Sequence, residues 1–162
     1  MAKNSVNAQS AGADAFQDYY PDDYAHCYGC GRLNEYGLKI KSYWDGDESI
    51  CHFLPKEYYS GGMKDILYGG LIASLIDCHG AGTAAAAKAR EMKILIRPGA
   101  MPRFVTASLK VDYLAPAPVG VELELRGAVE EIKGRKVTVG VTLSAERKIC
   151  AKGELIMVQV RG

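Results

Sequence analysis

The spacing of apolar positions along this chain changes twice, and the changes divide it into three regions. From Leu38 to Trp44 apolar and polar residues alternate weakly. Asp45-Gly46-Asp47 supplies a turn, and an extended pattern resumes from Ser49 to Leu54, so a hairpin is predicted. A loop over 55–67, with Gly61-Gly62, precedes the second region and is placed to form a pocket wall. From Gly69 to about Glu91, Leu71, Ile72, Leu75, Ile76, His79 and Thr83 recur at helical spacing and share one face. Asp77 falls on a different face with Ala73, Ser74, Ala81 and Ala84, small residues that permit close approach of another surface. Only Lys88, Arg90 and Glu91 are clearly polar, and they end the helix, so most of it must be wrapped.

After a Gly/Pro-containing connection over 97–102, the third region is β to its end. Val105, Ala107, Leu109, Val111 and Tyr113 form the apolar side of a strand, with Thr106, Ser108, Lys110 and Asp112 on its polar side. Pro116-Ala117-Pro118 turns the chain, Val121 to Glu130 alternates, Lys133-Gly134-Arg135 turns it again, and strands over 137–144 and 149–160 complete the run. The short connections predict antiparallel neighbours. Two strands, one long apolar helix and four strands are best satisfied by a curved antiparallel sheet around the helix, an α+β fold.

The chain is 162 residues long and 48% hydrophobic, which fits one domain with a sizeable core. Twenty basic against nineteen acidic residues give no electrostatic case for nucleic acid or a membrane surface, so a small molecule or a protein is the expected partner. No apolar run approaches a membrane span, and the first residues lack a basic segment followed by an apolar block; a cytoplasmic location is expected. Residues 1 to about 13 are small and polar and are expected to be loosely held. Phe16, Tyr19, Tyr20 and Tyr24 then predict an irregular segment packed on the domain by its aromatics.

Five cysteines is an odd count without repeated spacing, so reduced thiols are expected. Cys27-Tyr28-Gly29-Cys30-Gly31 has the form of half a zinc site, but a second pair is missing. Cys51 and His52 are neighbours on a strand, point to opposite faces and make poor joint ligands. A tight glycine turn with incidental thiols is the reading, and neither metal nor cofactor is expected.

The stretch from Tyr68 to Asp77 carries the candidate chemistry. Gly69-Gly70 open the helix, where unshielded backbone N–H groups can hold a developing oxyanion, and the carboxylate of Asp77 can activate water. The two lie about 10 Å apart along the helix axis, so they are expected to serve different active sites across a dimer. His79 lies roughly 200° around the helix from Asp77 and shares the core stripe, which points to a satisfied core histidine or a role across an interface. The spacing of His26 and His52 in the sequence gives no reason to assign them chemistry.

These elements in this order resemble the hotdog fold. The residues that carry the likeness are Gly69-Gly70 at the helix start, Leu75-Ile76-Asp77 within it and Val111 to Pro118 after it, and they resemble more narrowly the phenylacetate-pathway (PaaI-like) acyl-CoA thioesterases. The likeness covers roughly residues 27–160, with 1–26 as a partly disordered N-terminal extension. It rests most on a His-Gly-Gly followed by an acid seven residues after the second glycine, met here as Tyr68-Gly69-Gly70 and Asp77. Gly134-Arg135-Lys136 before alternating Val and Thr is also similar to the family's penultimate strand.

The resemblance implies hydrolysis of an acyl-CoA, without a metal, in a homodimer or dimer of dimers whose strands at 106–115 pair with each other. It gives Asp77 the role of base or nucleophile, Gly70 the N–H that polarises the carbonyl, and Thr106 the positioning of water or acid. Tyr68, Gly69 and Ser74 are the expected substrate contacts at the helix start. Among the cations Arg103, Lys110, Arg135 and Lys136, the last two are the expected contacts to coenzyme A. Tyr68 stands where the family usually has His, which motivates a second expectation, a non-catalytic acyl-CoA or acyl-ligand binding protein. A hotdog dehydratase would need a His shortly before the acid, and His52 lies too far upstream.

Overall fold

The computed structural model describes residues 13–161. Six strands and one long helix follow in the order β1 (Tyr43–Asp45), β2 (Glu48–Phe53), α1 (Gly69–Glu91), β3 (Phe104–Tyr113), β4 (Leu123–Lys133), β5 (Lys136–Ala145) and β6 (Lys148–Gln159). The strands form one antiparallel sheet in the order β1-β2-β4-β5-β6-β3. The first hairpin turns at Gly46, whose φ of 64° suits glycine. Leu38 to Ser42, read as the start of its first strand, instead pairs with the glycine turn, Leu38 and Ile40 donating to the Tyr28 and Gly29 carbonyls.

The α1 helix lies against β3, β4, β5 and β6. Its stripe of Leu71, Ile72, Leu75, Ile76, His79 and Thr83 is buried, and so is the run Ala84–Ala87. Opposite it Leu125, Val139, Val141, Leu155 and Met157 supply the apolar face of the sheet. A helix with so few polar positions is stable only with this cover, as its sequence demands. At its far end the buried Lys88 pairs with Glu91 and donates to the Gly134 carbonyl at 2.8 Å, which ties the helix to the β4–β5 turn.

Two features depart from the sequence pattern. β3 does not neighbour β4, because β2 occupies that edge of β4; the chain crosses the sheet and β3 pairs with β6. β3 also carries a bulge, since Thr106 pairs with Met157 and Ser108 with Ile156, leaving Ala107 as the extra residue. Residues opposite one another share a face, so Phe104 and Thr106 face the helix with Met157, whereas beyond the bulge Leu109 and Tyr113 do so with Leu155 and Ala151. The strict alternation read from Val105 onward therefore holds only after Ala107. Val105, assigned to the apolar side, is half exposed.

The expectation for residues 1 to about 13 falls, but for Ala13, outside the described residues. From Ala15 the segment packs into the core through Phe16, Tyr20 and Ala25, in two short 3-10 turns, and the buried Gln17 side chain is bonded to Ser42.

Candidate functional site

The helix starts where backbone rather than side chains makes the connections. The Tyr68 N–H donates to the Tyr59 carbonyl at 2.9 Å, and its own carbonyl accepts from Leu71 and Ile72. Gly69 and Gly70 occupy the first turn, whose N–H groups have no carbonyl one turn back within the helix. The Tyr68 ring folds over this turn so closely that a Cβ on Gly70 would sit 2.4 Å from it, so a larger residue there would have to push the exposed ring aside. The Tyr113 hydroxyl donates to the Gly69 carbonyl and the Ser74 hydroxyl to the Gly70 carbonyl, both at 2.8 Å. Tyr68 and Ser74 line a cavity of about 230 Å³ with Tyr28, Leu38, Tyr58 and Leu71, an aromatic recess beside the helix start. Its wall includes Tyr58, Tyr59 and Ser60 of the loop before α1.

Asp77 lies further along α1, at a second cavity of about 300 Å³ that it lines with Thr106, Phe104, Tyr24, His26 and Cys78. The Thr106 hydroxyl donates to Asp77 Oδ1 at 2.6 Å, a short bond of the kind a charged acceptor makes. The bulge at Ala107 is what turns Thr106 toward the helix instead of placing it on the outer face with Ser108 and Lys110. Asp77 is part-exposed, so its carboxylate remains accessible from the cavity.

His79 is in different surroundings. It is fully buried, with Nδ1 2.9 Å from Ser42 Oγ and Nε2 3.0 Å from Ser49 Oγ. Ser49 also meets Thr83, whose hydroxyl donates to the His79 carbonyl at 2.7 Å. Burial pushes the imidazole pKa down to about 4, so the ring is neutral at pH 7 and acts as a core crosslink.

Arg135 and Lys136 are not brought to the helix start. Arg135 donates to the Gln159 carbonyl at 3.3 Å, and Lys136 pairs with Val158 at the sheet end that holds Lys88. That end is the C-terminal end of α1, opposite to Gly70.

Sequence spacing alone missed two contributors. Tyr113 was placed on the apolar side of its strand without a partner. Cys78, adjacent to Asp77, is met by both cysteines of the glycine turn: the sulfurs of Cys27, Cys30 and Cys78 all lie within 4.8 Å of one another, and Cys27 and Cys78 are 3.8 Å apart. Hydrogen bonds to its sulfur from Cys30 and from Cys78 hold the Cys27 thiol far below the ordinary range, while the same bond to Cys27 holds Cys30 high, up to about 12. One sulfur of the three is therefore favoured as thiolate.

A family model described as the thioesterase superfamily matches residues 64–151, which include the helix, Asp77 and Thr106. The chain belongs to this superfamily. A thioesterase superfamily protein from Shewanella loihica is 46% identical, with 86% of this chain and 98% of that chain covered and a TM-score of 0.66. An acyl-coenzyme A thioesterase of Xenopus laevis, THEM4, is 36% identical over 89 residues, covering 54% of this chain and 33% of that protein. The chain thus spans about a third of the length of this curated relative. The PaaI protein of the Escherichia coli phenylacetic acid degradation operon shares the fold at 16% identity and a TM-score of 0.62, with 77% of this thioesterase-superfamily chain and 82% of PaaI covered. The six-stranded sheet around one long helix is the hotdog fold.

Proposed function

We propose that the protein is an acyl-CoA thioesterase in which Asp77 activates the attacking water. The observation that carries this reading is the Asp77 carboxylate, reachable from a cavity and held by the Thr106 hydroxyl, on a helix that opens with two glycines. Thr106 occupies one lone pair of Oδ1 and fixes the carboxylate, leaving Oδ2 to take a proton from water. The water oxygen bonds to the thioester carbonyl carbon, and the charge that develops on the carbonyl oxygen is met by the Gly70 N–H and the positive end of the helix dipole. The C–S bond then breaks, coenzyme A leaves as thiolate and takes the proton held on Asp77, which restores the carboxylate, and the acyl group departs as a carboxylic acid.

One helix cannot serve both halves of this chemistry, since Gly70 and Asp77 are about 10 Å apart along its axis. A dimer through β3 supplies the solution. This strand is a sheet edge, and it exposes Val105, Leu109 and Tyr113 beside free backbone groups, which suits pairing with a second copy. In such a dimer the helix start of one subunit faces Asp77 of the other. The recess lined by Tyr28, Tyr58 and Tyr68 then receives the acyl chain or the pantetheine arm.

The Tyr68 ring, which lies against Gly70 at the helix start, supports a second reading, an acyl-CoA binder without turnover. A panel of acyl-CoA substrates of different chain length and aromaticity, followed by release of free thiol, separates the two. Turnover that Asp77→Asn lowers by about 10² or more fits the hydrolase. Tight binding across the panel with no thiol released points to the binder. Wild-type turnover in the Asn variant removes Asp77 from the base role.

A further inference from the structure

The three cysteines beside Asp77 have no part in that chemistry. We propose that Cys27, Cys30 and Cys78 bind one Zn²⁺ ion as three thiolate ligands, with the fourth position open to the cavity. Two ligands come from the glycine turn and one from α1, so the ion would clip the N-terminal segment to the helix at the level of Asp77. This inference stands on the sulfur geometry and does not depend on thioester hydrolysis.

A tetrahedral zinc ion with Zn–S bonds of about 2.3 Å holds neighbouring sulfurs about 3.8 Å apart. The Cys27 and Cys78 sulfurs lie at 3.8 Å, and Cys30 completes a group that fits within 4.8 Å. A disulfide needs only two sulfurs, about 2.05 Å apart. A third at comparable distance from both is what a metal requires.

The backbone of the turn is shaped to the same end. A Cβ on Gly29 would stand 2.3 Å from the Cys78 sulfur, so a glycine is what lets this loop close on the helix. The Gly31 N–H donates to the Cys27 carbonyl at 2.7 Å, and a Cβ on Gly31 would strike backbone atoms of Ala25 and Cys27. Cys30 and Cys78 are buried, whereas Cys27 is exposed, which leaves a path for the ion. Cys27 and Cys30 lie outside residues 64–151, so the site is not contained in the family match.

The test uses the full chain, purified with reductant, stripped by chelator and dialysed against Zn²⁺, with Co²⁺ as the spectroscopic probe. One equivalent of zinc per chain is expected, and for Co²⁺ a thiolate charge-transfer band in the near ultraviolet. Cys27→Ser changes the exposed ligand and should weaken binding more than the roughly 100-fold lost when an outer partner of a ligand is removed. Cys78→Ser should do the same from the helix side. Zinc bound no more tightly by the wild type than by Cys27→Ser overturns the proposal, as does a disulfide joining any two of the three sulfurs in the zinc-treated protein. The readout is metal content and spectrum, so an active protein that binds no zinc, or an inactive one that does, separates this inference from the proposed activity.

Discussion

Asp77 and His79 stand two residues apart on one helix and meet opposite circumstances. The His79 ring has both nitrogens occupied by serines, Ser42 just before β1 and Ser49 in β2, and no route to solvent. Asp77 has one short bond from Thr106 and a cavity beside it. The pitch of the helix produces the contrast, because two residues turn the side chain by roughly 200°, from the sheet-facing stripe to the cavity. A polar group with every partner supplied holds a structure together, whereas Asp77 keeps part of its surface open to the cavity.

That contrast breaks most sharply on substitution. Asp77→Asn keeps shape and the Thr106 contact, so turnover should fall roughly 10² to 10⁴-fold while urea unfolding stays near wild type. Loss of stability instead of turnover would assign Asp77 to structure. His79→Ala should do the reverse. It opens a cavity and strips partners from Ser42 and Ser49, at a cost of about 2–4 kcal/mol in urea unfolding, with kcat retained under conditions where the variant is folded. Thr106→Val, which keeps the shape but not the hydroxyl, should lower kcat about tenfold, a barrier change of about 1.4 kcal/mol, with little change in melting temperature. The smallest effect is expected from Tyr68→Phe, where loss of one hydrogen bond to substrate changes kcat/KM by about 0.5–1.5 kcal/mol. An unaltered kcat/KM would leave the ring as cover alone.

Periodicity carried the architecture well where burial is one-sided. The α1 stripe from Leu71 to Thr83 and the alternation from Val137 to Leu143 are both set by one apolar face, and both pack as their spacing requires. His79 could be placed in the core because it sits on that stripe. The partners of Asp77 were less legible. Thr106 reaches it through a bulge, and a bulge leaves no trace in alternation when its residues, Val105 to Ser108, are small or ambivalent. Cys78 was hidden by a different limit: a search for paired spacing finds two cysteines close in sequence, and the third comes from a helix some fifty positions away. Strand order was also beyond reach at β3, where a connection of modest length crosses the sheet instead of turning back.

The extra residue at 107 makes the length of β3, and not only its composition, what brings Thr106 to Asp77. An in-frame loss of the codon for Ala107 would remove no functional group, yet it would restore plain alternation and turn Thr106 to the outer face or push Leu109 and Tyr113 there. A scan of single substitutions along this strand would pass over the position, since almost any side chain can be the one that is looped out. In this strand, heredity has to preserve a count.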